Sequence, residues 1–101
     1  MEPSQRVIRI REAIERGLDA AHVEVIDRSA EHAGHAGAAS GGGHFDVVVV
    51  SDRFADLGPV AAQRLVYQAL GSLMTTDIHA LSMRTLTPEQ WRAQSARNPR
   101  G

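Results

Sequence analysis

The segment His44–Ser51 reads HFDVVVVS and contains four consecutive valines. β-Branched residues favour extended backbone, and an uninterrupted apolar run is typical of a strand that is buried on both faces. This is the strongest strand signal in the chain. Any fold for this sequence must therefore place the segment inside a sheet rather than at its surface.

An amphipathic helix and a short strand are predicted ahead of this segment. After Ser4, which is the predicted N-cap, apolar residues recur at helical steps of three and four. These residues are Val7, Ile10, Ile14 and Leu18. The following HVEVIDR alternates apolar and polar residues, which predicts a strand.

A second helix, a third strand and a last helix are predicted after the valine run. Pro59 can occupy the first position of the second helix. Its apolar stripe is Val66, Ala69, Leu70 and Leu73. Residues 75–77 are predicted to break this helix, and IHALSMRT reads as a strand. In TPEQW, Thr87 is the predicted cap of the last helix, and Gln90 is its capping-box partner.

The predicted order is therefore αββαβα, an α+β fold. The first two strands can pair antiparallel, and a right-handed crossover through the second helix can make the second and third parallel. The expected architecture is a three-stranded mixed sheet with helices packed on one face. Residues 1–94 are predicted to form a single domain, with a frayed tail over residues 95–101.

Composition narrows the range of functions. The chain has 101 residues, a net charge of −1 and no cysteine, so a disulfide scaffold and a thiolate nucleophile are both excluded. Nucleic-acid-binding domains usually carry a basic excess, which is missing here. We find neither an apolar run of membrane-spanning length nor a secretory signal, and expect a cytoplasmic protein.

Histidines are the unusual chemical feature of the sequence. His32 and His35 flank an Ala-Gly pair in a long Ala/Gly/Ser-rich connection, and His44 and His79 lie near the starts of two strands. The residues alone favour a solvated loop for the first two and a partly buried, hydrogen-bonded ring for His79. Two imidazoles are also too few for a zinc site. No catalytic constellation is apparent, so an enzyme is not predicted.

Four segments together resemble the BolA family: SAEHAGHAG, HFDVVVVSDRF, RLVYQAL and IHALSMRTLTPEQW. The similarity extends from about Ile8 to Trp91. The combination of HF-x₅-S-x₂-F with a downstream IHAL is much more specific than any of these pieces alone. The resemblance implies a fold similar to that of class II KH domains, in agreement with the predicted element order.

The resemblance also implies a role for the histidines. BolA-like proteins partner monothiol glutaredoxins, and the pair can hold a bridging 2Fe–2S cluster. The glutaredoxin contributes a cysteine and the thiolate of its bound glutathione. By resemblance, this chain would contribute His79 and either His32 or His35, with His32 slightly favoured. No cofactor is expected in the isolated protein.

A DNA-binding transcriptional regulator is the alternative that the resemblance implies. Family members commonly have Arg-His-Arg on the second helix, where this chain has Ala62-Gln63-Arg64. Nucleic-acid or partner contacts would then fall to Arg53, Arg64 and Arg84. Because two of the three family residues are replaced, the sequence weakens this alternative.

Overall fold

The computed structural model describes residues 3–28 and 43–97. Within these two ranges, four helices, three strands and one 3₁₀ turn follow one another. They are α1 (Pro3–Leu18), β1 (His22–Asp27), β2 (Gly43–Val50), the 3₁₀ turn (Asp52–Phe54), α2 (Pro59–Leu70), α3 (Leu73–Thr76), β3 (Ile78–Leu86) and α4 (Pro88–Arg97).

The valine-rich strand β2 lies at the centre of the sheet, as predicted. The strand order is β1-β2-β3, with β1 antiparallel and β3 parallel to β2. Val23 pairs with Val49 across the antiparallel half, and Val49 pairs with Thr85 across the parallel half. The predicted α+β class and mixed sheet are therefore confirmed.

The main core lies between one face of the sheet and helices α1 and α2. The sheet contributes alternate side chains of β2, and each of the two helices contributes one apolar stripe. The buried members from these elements are Phe45, Val47, Val49, Ile10, Ile14, Leu18, Ala62, Val66 and Leu70. The spacing read from the sequence thus identified the buried stripe of α1 and the buried Val66 and Leu70 of α2. It missed Ala62, and Leu73, which was predicted for the same helix, lies in α3.

A glycine sets the distance between α1 and α2. A Cβ atom on Gly17 would lie 2.7 Å from the Cβ atom of Ala69, closer than real Cβ atoms come. Glycine weakens a helix interior, but at this position it has a packing reason, because it lets the two helices touch.

Ser51 joins the end of β2 to the end of α1. Its side chain is fully buried and donates a hydrogen bond of 2.8 Å to the carbonyl oxygen of Leu18. The same hydroxyl accepts a bond from the backbone N–H of Arg53, which caps the 3₁₀ turn. Buried hydroxyls are tolerated when they are bonded in this way.

Helix α4 is capped as the sequence predicts. The backbone N–H of Thr87 donates to the Gln90 side chain at 2.9 Å, and the Gln90 N–H donates to the Thr87 hydroxyl at 3.2 Å. These reciprocal bonds form a capping box.

The position of α4 refines the prediction that all helices pack on one face. The Trp91 ring of α4 stacks on His22, with ring centroids 4.8 Å apart. His22 alternates with the core residue Val23, so its side chain lies on the opposite face of the sheet. Helices α1 and α2 pack on the same face of the sheet, as predicted, whereas α4 packs at one end of the opposite face.

Three boundaries differ from the sequence-based predictions. Helix α1 begins at Pro3, so the prediction of Ser4 as N-cap is wrong; proline suits a first helical turn because its φ is already fixed. Helix α2 ends at Leu70 rather than at residues 75–77, because Gly71 adopts a φ of 54°. Helix α4 continues to Arg97, past the start of the predicted tail, and residues 98–101 lie outside the described residues.

Candidate metal-ligand site at the edge of the sheet

His79 occupies an irregularity in the parallel pairing of β2 and β3. Gly43 pairs with Ile78, but the next residue, His44, pairs with Ala80. His79 is therefore the extra residue of a β-bulge. Bulges bend a strand and redirect a side chain, and they are frequent beside functional sites.

The bulge keeps the His79 side chain outside the core. Ile78 is buried, and Leu81 packs against the same core cluster, although regular alternation would place these two residues on opposite faces. The extra residue between them allows both to face inward while His79 is exposed. The expectation of a partly buried His79 is therefore wrong.

The His79 ring also has no bonding partner among the described residues. Within the part of the chain that the structure describes, its side chain makes no hydrogen bond and no ion pair. By contrast, His22 pairs with Glu24 at 2.7 Å and stacks on Trp91. An exposed imidazole without a partner can offer a nitrogen lone pair to a metal ion from outside the domain.

Both ends of the long connection are fixed at the same edge of the sheet. Arg28, the last described residue before it, donates its backbone N–H to the His44 carbonyl at 2.8 Å. Its side chain pairs with Asp46 at 2.7 Å. Gly43, the first described residue after it, donates its backbone N–H to the carbonyl oxygen of Asp77 at 3.0 Å. The histidines His32 and His35 lie outside the described residues.

Asp77 is a buried carboxylate two residues before His79. It is only 5% exposed. The Thr76 hydroxyl bonds to its Oδ1 at 2.5 Å, and the Nε of Arg6 lies 3.9 Å from its Oδ2. Its backbone N–H donates to the Leu73 carbonyl at 2.9 Å. Asp77 thus contacts α1, α3 and the start of β2 at the point where β3 begins.

The described residues do not enclose a metal by themselves. Among residues 3–28 and 43–97, no group of three or more His, Asp or Glu side chains is placed to hold a metal ion. A polar depression of about 430 Å³ lies near Asp52 and Thr87, at the other end of β3 from His79.

The three candidate contact arginines do not form one surface. Arg64 is exposed on α2, on the side of the sheet that carries the main core. Arg84 follows the inward-facing Met83 on β3, so it is exposed on the opposite face, where it donates to Gln94 at 2.9 Å. Arg53 is exposed in the 3₁₀ turn. The structure therefore separates Arg64 from Arg84 by the thickness of the sheet.

The two positions on α2 that depart from the expected Arg-His-Arg differ in their surroundings. Ala62 is buried in the core, where a small side chain fits, whereas Gln63 is exposed, as is the retained Arg64. Of these three positions, only 63 and 64 therefore face solvent.

The sequence-based reasoning missed Asp77 and the bulge. An acidic residue at the start of a strand gives no signal of burial, because such residues are usually exposed. The irregular spacing of Ile78 and Leu81 was the available clue to the bulge, since both are apolar and three residues apart.

The fold and the site together define a class: a small α+β domain that presents an unengaged histidine at one end of a mixed sheet. The sequence matches the family model described as BolA-like protein over residues 14–90. The chain belongs to the BolA-like family.

Relatives and solved structures agree with this assignment. BolA-like protein 1 of Mus musculus is 40% identical over 83 residues, which cover 82% of this chain and 58% of that protein. The DNA-binding transcriptional regulator BolA of Escherichia coli is 41% identical over 86 residues, covering 81% of this chain and 79% of that protein. The structure of the BolA domain of SufE1 from Arabidopsis thaliana has a TM-score of 0.71 at 40% identity, covering 83% of this chain and 93% of that one.

The shared domain also occurs inside longer chains. The match covers only 24% of SufE-like protein 1 of Arabidopsis thaliana, whose name places it in chloroplasts and mitochondria. In the described ranges of the present chain, no helix has the length and hydropathy of a membrane span. A cytoplasmic location remains a prediction.

Proposed function

We propose that this protein is a non-catalytic partner of a monothiol glutaredoxin, with which it shares a 2Fe–2S cluster in iron–sulfur trafficking or in iron or redox signalling. The observation that carries the proposal is the position of His79. Its ring is exposed and unengaged at a bulge, beside both anchored ends of the segment that contains the second ligand candidates.

Chain length allows either loop histidine to reach His79. The register places Arg28 two strand spacings from Ala80, a lateral distance of roughly 10 Å. His32 follows Arg28 by four residues, which span at most about 14 Å, and His35 follows by seven, which span at most about 25 Å. The chain is therefore long enough for either histidine to approach His79, and substitution of each is needed to identify the ligand.

His79 and one of the loop histidines would supply half of the terminal ligands of a shared cluster. Two neutral imidazoles would fill two positions on one iron, and the cysteine of the glutaredoxin and its glutathione thiolate would supply the remaining ligands. Replacement of two thiolates by imidazoles raises the reduction potential of such a cluster. His79 needs no rotation away from an existing partner before it can bind, because its side chain has no bond to other described residues.

The test is reconstitution of the protein with a monothiol glutaredoxin, iron, sulfide and glutathione, followed by visible circular dichroism. We expect a heterodimer spectrum that differs from that of the glutaredoxin alone. His79→Ala and one of His32→Ala and His35→Ala should abolish it. His22→Ala is the matched control, since it removes a histidine that is partly exposed at the opposite end of the sheet.

Two results would contradict the proposal. One is a spectrum that stays that of the glutaredoxin alone when the wild-type protein is present. The other is a heterodimer spectrum that survives His79→Ala unchanged.

DNA binding is a second candidate, favoured by the names of relatives. The matched proteins of Escherichia coli and Vibrio cholerae are both called DNA-binding transcriptional regulator BolA. Phosphate contacts release counterions, so DNA affinity should fall steeply with salt. Arg64→Ala and Arg84→Ala, measured separately, would identify which face binds, because the two arginines lie on opposite sides of the sheet.

A further inference from the structure

We propose that Asp77 is a positioning residue for His79. It would hold the bulge in the conformation that turns His79 outward, and it would fix the end of the 29–42 connection beside that histidine. This inference rests on the proposed function, because it assigns a role toward the same ligand.

The first support is the burial and bonding of the Asp77 side chain. Its side chain is 6% exposed and lies between the Thr76 hydroxyl and the Arg6 guanidinium. Burying a carboxylate is unfavourable unless charged and hydrogen-bonding partners compensate. The Thr76 hydroxyl compensates one oxygen, whereas the buried Oδ2 makes no hydrogen bond among the described residues and meets Arg6 only as an ion pair. The Asp77 side chain is therefore held by a hydrogen bond from α3 and by the charge of α1.

The second support is the backbone of Asp77, which is bonded both to α3 and to the start of β2. Its carbonyl oxygen accepts from the Gly43 N–H, and its N–H donates to the Leu73 carbonyl. Gly43 is also the residue at which the register shifts, so the bond to Asp77 is the last regular constraint before the bulge. A displacement of Asp77 would move both the start of β3 and the point where the connection re-enters the sheet.

The third support is the absence of other constraints on the His79 ring. Because this side chain makes no hydrogen bond within the described ranges, its direction depends on the backbone that carries it. Ligands held by surrounding structure bind metal more tightly than unrestrained ones, and loss of a supporting residue typically weakens metal binding by about 10–100-fold. Asp77 is the buried side chain best placed to provide that support.

The first test uses the isolated protein and does not depend on any partner. Amide hydrogen exchange would be measured for Gly43 and for Val49, in the middle of the same strand. We expect Asp77→Ala to accelerate exchange at Gly43 by on the order of tenfold relative to Val49, since the acceptor of the Gly43 bond is no longer held. An unchanged ratio of the two rates would overturn the positioning role.

The matched control is Ser51→Ala, which also removes a buried polar side chain, at the other end of β2. It should destabilise the fold and leave the ratio of the Gly43 and Val49 exchange rates unchanged. Asp77→Asn retains the shape and one acceptor oxygen, so it should restore part of the protection at Gly43. If Ser51→Ala raises the ratio as much as Asp77→Ala does, the effect is general destabilisation and the proposal fails.

The second test measures the lifetime of the shared cluster. Asp77→Ala should accelerate loss of the heterodimer spectrum by on the order of tenfold, with the affinity for the apo-glutaredoxin changed less than about twofold. Ser51→Ala, which removes a buried polar side chain at the other end of β2, should leave this lifetime unchanged. An equal acceleration in both variants would show a merely structural role. If the wild-type protein shares no cluster at all, the proposed function fails, and the role of Asp77 toward a metal ligand fails with it. An unchanged ratio of the Gly43 and Val49 exchange rates refutes the positioning role alone.

Discussion

Gly17→Ala should destabilise this protein even though alanine is the better helix former. The gain in helix propensity is about 1 kcal/mol. The new Cβ, however, would lie 2.7 Å from the Cβ of Ala69 and 3.2 Å from its Cα. Overpacking of this kind typically costs about 1–3 kcal/mol. Both helices are fixed by buried residues such as Ile14 and Val66, so they cannot separate without opening the core. We expect a net loss of up to about 2 kcal/mol.

The assay is urea unfolding followed by far-ultraviolet circular dichroism, with thermal unfolding in parallel. Each 1 kcal/mol lost lowers the Tm of a domain of this size by roughly 4–8 °C. Gly58→Ala is the matched control, because a Cβ there meets nothing within 4 Å, and it should change stability by less than about 1 kcal/mol. Ala69→Gly should rescue Gly17→Ala by restoring the space. Stabilisation by Gly17→Ala alone would refute the close approach of the two helices.

Three further substitutions test other parts of the fold. Thr87→Ala should cost about 0.5–2 kcal/mol in urea unfolding, because it removes the hydroxyl that accepts from the Gln90 N–H at the start of α4; an unchanged midpoint would contradict the capping box. Ser51→Ala should cost about 1–3 kcal/mol, because the carbonyl of Leu18 loses a buried donor; a change within about 0.5 kcal/mol would show that another donor replaces it. His22→Ala should alter the intrinsic fluorescence of Trp91, the only tryptophan in the chain, since it removes the stacked ring; an identical emission spectrum would argue against that contact.

Much of the fold followed from local patterns in the sequence. The valine run predicted a buried central strand. In the structure, β2 is paired on both edges and its side chains are largely removed from water. Thr87 and Gln90 predicted a cap because that motif acts within one helical turn. By contrast, the break at Gly71 depends on a left-handed backbone that the apolar stripe, continuing to Leu73, does not reveal.

The candidate site was only partly predictable. Identification of His79 came from family resemblance, and the residues alone had favoured burial. Its exposure results from a bulge, which is a property of pairing between two strands and not of β3 alone. Asp77 was missed for a related reason: its burial depends on contacts from α1 and α3 that meet only in the folded chain.

The most direct test of the central claim is pulsed electron paramagnetic resonance of the reduced shared cluster. The protein would be labelled with ¹⁵N and reconstituted with an unlabelled monothiol glutaredoxin, so that strongly coupled ¹⁵N identifies ligands from this chain. We predict strong coupling to two histidine nitrogens, which is unchanged in His22→Ala and absent in His79→Ala, where the shared cluster should not form. A cluster that shows no strong ¹⁵N coupling would have all of its ligands on the glutaredoxin side, and that result would contradict the shared-cluster role.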